Sequence, residues 1–190
     1  CQVARFIKWS DPIGVIDAYR LAKQEVPELQ LILVWAMPGA GVESWRHFQR
    51  VAADAGHDPD IHLLSNLNEV GNLEQNLFQC TARVVVHRSL RKGFATTVAE
   101  ASWKERPVVV GRVGIMPGQV IDGRTGYAVD TVAQTADRIV RLLKDSPLAE
   151  EMGRAGHEHV RQNFLITRTL RDYLTLFGTV GAGRSATAGA

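Results

Sequence analysis

Cysteine is scarce in this chain, with Cys1 and Cys80 the only two in 190 residues. That excludes a disulfide framework and a thiolate metal cluster, and the expected setting is the reducing cytoplasm. Cys80 reads as a small apolar side chain buried on a helix. Long hydrophobic runs are also missing: no stretch approaches the roughly 20 residues that cross a bilayer. No signal peptide is visible, so no membrane partner is expected. Charge of one sign is lacking too. Lysine and arginine exceed aspartate and glutamate by 2, and the two signs are interspersed. Nothing there points to nucleic acid. The six histidines are dispersed without metal-site spacing. His157-Glu158-His159 lies on a helix that points its two histidines apart, towards the surface. Neither a metal nor a cofactor is expected.

What the chain has is 45% hydrophobic residues, enough for one sizeable core. Strand-like and helix-like segments alternate along it. Val3 to Phe6 reads as a strand, and Pro12 to Val26 as a helix with Asp11 as N-cap and Pro12 at its first position. Leu31 to Ala36 is a continuous apolar run, as in a strand buried on both faces. Helix follows over Glu43 to Ala55, strand over Ile61 to Leu64, and helix over Asn72 to Thr81. Arg83 to His87 is a strand, Thr97 to Lys104 a helix, and Pro107 to Gly111 a strand. Gly114 to Gly126 is loop with at most a turn of helix, and Gly126 to Val129 is a last short strand. Thr131 to Lys144, Leu148 to Asn163 and Thr167 to Leu176 are helices. The pattern predicts an α/β fold with a doubly wound, Rossmann-like parallel sheet and extra C-terminal helices over residues 1–178. Residues 179–190, mostly glycine, alanine, serine and threonine, read as a flexible tail outside the fold. The start on Cys1, inside a strand-like segment, suggests a fragment.

In such folds ligands lie at the carboxyl ends of the strands. The richest segment there is His87 to Ala101, where a strand runs through a glycine loop into a helix N-terminus. Free amides and the helix dipole favour an anion, and Arg88, Arg91 and Lys92 add positive charge. No Gly-Lys-Ser/Thr follows, so this is not a Walker loop. Glu100 has two readings. Thr97-x-x-Glu100 matches a capping box, in which Glu100 closes back on the helix start; alternatively, its carboxylate accepts hydrogen bonds from vicinal sugar hydroxyls.

The Gly93-Phe94-Ala95 loop followed by Glu100-Ala101 resembles the signature of retaining GT-B glycosyltransferases of family 4. Further blocks extend the likeness: Arg5-Phe6, Asp11 to Ile16, Asp60-Ile61-His62, Phe78-Gln79, Trp103-Lys104, Pro107 to Val109, Gln119, Asp122-Gly123, Thr125 to Tyr127, Glu158 to Val160, Phe164 to Arg168 and Leu170 to Leu174. Together they resemble the glycosyltransferring trehalose synthases over roughly residues 2 to 177. The resemblance implies a two-domain enzyme that moves glucose, with retention, from a nucleoside-diphosphate glucose to glucose. This chain matches the second, donor-binding domain. An N-terminal Rossmann-like domain would be its partner, and the chain alone would be inactive. Homo-oligomerisation is left open, with Phe164, Leu170, Tyr173 and Phe177 expected on an exposed apolar face.

Carried over residue by residue, the likeness makes Arg5 a diphosphate ligand. Its usual partner lysine falls at Ser10, with Lys8 close by as a substitute. Lys92, Gly93, Phe94, Ala95 and Thr96 would seat the phosphates and Glu100 would hold the ribose. Ser65, Asn66 and Leu67 would face the nucleobase, and Gly114 and Ile115 the donor sugar. The pattern breaks at four further places. Lys92 replaces a sugar-holding carboxylate and cannot accept bonds from hydroxyls. Ala95 and Ile115 replace glycines, and Trp35 replaces the glycine ending the second strand. The alternative reading is therefore a catalytically degenerate module with a binding or scaffolding role.

Overall fold

A computed structural model of the chain describes residues 1–5, 8–36, 42–91 and 93–187, with the side chains at 5, 35, 36, 68 and 180–187 excepted. The apolar runs become strands and the segments between them helices. In chain order these are β1 Gln2–Arg5, α1 Pro12–Lys23, β2 Leu31–Ala36, α2 Val42–Ala55, β3 Ile61–Ser65, α3 Asn72–Thr81, β4 Val85–His87 and α4 Thr96–Trp103. Then follow β5 Val108–Gly111, α5 Met116–Gln119, β6 Tyr127–Val129, α6 Val132–Lys144, α7 Ser146–Asn163 and α8 Ile166–Thr187.

β1, β2 and β3 pair in parallel, as do β4, β5 and β6. Two hydrogen bonds join the triplets. The Cys1 amine donates to the Val84 carbonyl at 2.9 Å, and the Val86 N–H donates to the Cys1 carbonyl at 2.8 Å. Bonds flanking Val85 in this way are those of a parallel pair. The six strands therefore run in the order β3-β2-β1-β4-β5-β6, the doubly wound arrangement whose direction reverses between β1 and β4.

Successive residues of each strand point to opposite faces, and both faces are buried. Val84, Val86, Val109, Tyr127 and Val129 meet α1 and α6, through Ile16, Tyr19, Ile139 and Leu142. Val85, Val108, Val110 and Ala128 meet Val98 and Ala101 of α4 and Met116 of α5. This double coverage explains the unbroken apolar strands. Asp11 caps α1, its side chain accepting the Gly14 N–H at 3.3 Å.

The C-terminal region departs from expectation. α8 stays helical through Thr187, nine residues into the stretch at 179–190 that composition set aside; residues 188–190 lie outside the described residues. Alanine, serine and threonine without proline are tolerated in a helix that is already nucleated. Cys80 is half-buried rather than buried. His157 and His159 are not simply surface residues. His157 stacks on Trp103 with centroids 4.4 Å apart, and His159 sits edge-on to Phe164 at 5.2 Å. Phe164 is half-buried against Phe94 and so leaves the exposed set.

Candidate functional site

The reversal in strand order splays apart the loops that follow β1 and β4, and the crevice between them is the place a ligand would enter. Two contacts tie those loops together. The Leu90 N–H donates to the Trp9 carbonyl at 2.8 Å. Arg88 and Asp11 form an ion pair at 3.2 Å, with side chains only 12% and 17% exposed. Burial raises the Asp11 pKa, opposed by the Arg88 charge and the Gly14 N–H. Ser10, where the resembled enzymes have a lysine, is buried, and its carbonyl accepts from Gln2 Nε2 at 2.8 Å. Arg88 is thus committed to Asp11 and is not a free cation beside the anion seat, contrary to the sequence expectation.

The seat itself is the start of α4. This helix begins at Thr96 with Ala95 as its N-cap residue. Ala95 is fully buried. Its N–H donates to Gln119 Oε1 at 3.0 Å, and Gln119 Nε2 donates back to its carbonyl at 2.7 Å. The expectation that the Ala95 amide faces phosphate is therefore corrected: a buried glutamine occupies it. The amides of Thr96 and Thr97 have no partner among the described residues and remain at the positive end of the helix. Beneath them the buried His87 places Nε2 2.9 Å from Ser89 Oγ and Nδ1 3.4 Å from Thr97 Oγ1.

Glu100 is five residues into the helix, not three. The capping box therefore does not form, because the helix starts two residues too early for Glu100 to reach its cap. The Glu100 carboxylate is exposed and has no hydrogen-bond partner among the described residues. The capping reading fails, and the carboxylate stands in solvent in the second turn of α4.

An open cleft beside the seat is lined by Trp9, Leu90, Arg91, Gly93, Val113 and Gly114. Lys8 Nζ lies 4.6 Å from the Trp9 ring centre and the Arg91 guanidinium 6.0 Å from it. Phe94 and Ile115 are exposed on the same edge, and Gly114 adopts φ +56°. The structure thus brings Lys8, Gly93 and Gly114 to one cleft, with Thr96 and Glu100 exposed along α4 and Phe94 and Ile115 exposed beside the loops. Ser65, Asn66 and Leu67 sit apart, at the carboxyl end of β3, the far strand of the sheet. Ser65 is buried with its hydroxyl accepting the Leu67 N–H at 3.2 Å, while Leu67 is exposed. Lys92 lies outside the described residues, as do the side chains of Arg5 and Trp35. Among the described residues no histidine, cysteine and carboxylate grouping could hold a metal. No described helix is long and apolar enough to cross a membrane.

Sequence reasoning missed Trp9 and the clamp made by Gln119. A tryptophan beside a lysine at a strand end was the available signal for the first. For the second, a block of family likeness contained Gln119, but its residue type says nothing about which loop it holds.

Comparison with known proteins gives the family and the fold. The profile of the family described as glycosyl transferases group 1 matches residues 1–159. The chain belongs to that family. It is 51% identical over 176 residues to the trehalose synthase of Rubrobacter xylanophilus, covering 93% of this chain and 42% of that protein. It therefore spans less than half the length of this relative. Among solved structures, the C-terminal domain of a Francisella tularensis glycosyl transferase group 1 protein superposes with a TM-score of 0.72 at 20% identity, covering 87% of this chain and 85% of that one. Anabaena HepE in complex with UDP gives 0.80 at 18% identity, covering 94% and 48%. The fold is the Rossmann-like one of GT-B glycosyltransferases.

Proposed function

We propose that this chain is the donor-binding half of a retaining glucosyltransferase that takes nucleoside-diphosphate glucose, works in the cytoplasm, and needs an N-terminal Rossmann-like half for turnover. The observation that carries this reading is the free Glu100 carboxylate, one turn inside the open amides of Thr96 and Thr97 at the strand-order reversal. An anion seat and a hydroxyl acceptor at that separation suit a diphosphate and its ribose. The trehalose synthase relative and the UDP held by HepE support the same substrate class. In transfer, negative charge builds on the departing diphosphate, and preorganised amides with Arg5 and Lys8 would stabilise it. Ser65, Asn66 and Leu67 are proposed to face the base, and Gly114 and Ile115 the sugar. No step requires a metal.

Calorimetric titration of the chain with ADP-, GDP- and UDP-glucose tests this. Binding of at least one is expected, weakened roughly tenfold to a hundredfold by Glu100→Ala, since a hydrogen bond to a charged group contributes about 1.5–3 kcal/mol. Arg5→Ala should weaken it as well. Failure of all three to bind the folded chain would sink the reading. It would favour instead a degenerate module, which gains weight from the commitment of Arg88 to Asp11 and of the Ala95 amide to Gln119. Turnover of a nucleotide-glucose by the isolated chain would overturn the need for a second half.

A further inference from the structure

A second pocket opens on the α2 side of the crevice, and three cationic side chains converge on it. Lys8 comes from the turn after β1, and Arg46 and Arg50 from successive turns of α2; Trp9, Glu43 and His47 complete the wall. Over the whole chain the charges nearly balance, 22 basic against 20 acidic. Here they do not. Among the described residues lining the pocket Glu43 is the sole carboxylate, and none of Lys8, Arg46 and Arg50 makes an ion pair with a described residue. His47 buries its Nε2 without a partner. Burial and the adjacent Arg50 push its pKa down. The pocket also faces the N-terminal turns of the 14-residue α2, the positive end of that helix.

Guanidinium pairs with phosphate oxygens in two-pronged geometry, and two arginines with a lysine suit a compact dianion better than a carboxylate. Trp9 lines both this pocket and the cleft beside α4. We propose that Arg46 and Arg50, with Lys8 shared between this pocket and the donor diphosphate, form a second anion subsite that takes a phosphomonoester, held across Trp9 from the α4 seat. The subsite is additional to the one diphosphate of the donor reading. A phosphomonoester could reach it on a sugar acceptor or on the ribose of a nucleotide.

The test is titration of the 190-residue chain with inorganic phosphate, glucose 6-phosphate and uridine 3′-monophosphate, followed by amide and arginine side-chain NMR shifts. Arg46→Ala/Arg50→Ala is the control variant, both being exposed helix positions where alanine preserves the helix. At least one probe should bind at about 10 mM or below, and the double variant should weaken it about tenfold or more. UDP affinity should change less than about threefold, because that ligand sits at α4. Tighter binding of glucose 6-phosphate than of the nucleotide assigns the group to an acceptor, and the reverse order assigns it to ribose. No binding of any probe to the folded chain, or binding that the double variant leaves unchanged, overturns the subsite. Phosphate binding without any nucleotide-glucose binding would sink the donor reading alone.

Discussion

Gln119 holds both backbone polar groups of Ala95, accepting its N–H at 3.0 Å and donating to its carbonyl at 2.7 Å, although 24 residues separate them. Both residues are buried. Replacing Gln119 with methionine keeps the volume and strands the Ala95 N–H away from water. A loss of about 1–3 kcal/mol is expected from chemical denaturation. Nucleotide affinity should fall too, since the first turn of α4 is anchored by this clamp; Gln119→Glu should not restore it, because a carboxylate cannot donate to the Ala95 carbonyl.

Asp11 joins three things: the cap of α1, the Arg88 pair and the loop after β1. Asp11→Ala should cost about 2–4 kcal/mol, combining a lost cap with an arginine left beside no partner in a largely buried place. Asp11→Asn keeps the cap and tolerates the left-handed backbone at φ +48°, so thermal unfolding should place it between the parent and Asp11→Ala.

Gly153 of α7 lies directly over the carbonyl of Glu105, where an added Cβ would fall on the oxygen itself. Gly153→Ala should therefore separate α7 from the end of α4 and destabilise the chain by about 2–3 kcal/mol. A midpoint in denaturant indistinguishable from the parent would refute the close approach.

Glu158 accepts two hydrogen bonds from Arg161, at 2.7 and 2.6 Å. That pairing, the main cause, lowers its pKa from 4.5 to about 2. The sign follows from the lowered value: the unfolded chain binds the proton more readily, so this contribution is complete above pH 4.5 and is lost as pH falls towards 2. Glu158→Gln should flatten that part of the acid limb when stability is followed against pH.

Leu170, Tyr173, Leu174 and Phe177 stand exposed on α8. A contiguous apolar face of this kind favours association. Sedimentation should show concentration-dependent self-association of the chain, abolished by Tyr173→Glu with Phe177→Lys.

The strands were legible because burial on both faces makes them plain apolar runs, as at Leu31 to Ala36, and the helix Asn72–Thr81 has the bounds its pattern predicts. The crevice followed from strand order. What could not be read was set by distant partners. Thr97-x-x-Glu100 has the letters of a cap, yet Gln119 fixes Ala95 as the start of the helix. Arg88 stands beside the anion seat in sequence, but folding turns it to Asp11. Phe164 looked like part of an outer face, and instead packs on Phe94, 70 residues earlier in the chain and 5.3 Å away. The reach of α8 past Leu176 escaped composition because small residues report the absence of a core, not the absence of a helix.

The bond from Leu90 to Trp9, with the ion pair beside it, has a consequence for recognition. The two lips of the crevice are latched before any ligand arrives, so the disorder of bringing them together is surrendered during folding and not at the moment of capture. A substitution that unlatches one lip should slow nothing in the approach of that ligand but shorten its stay, and the loss would be felt on the opposite lip as much as on its own.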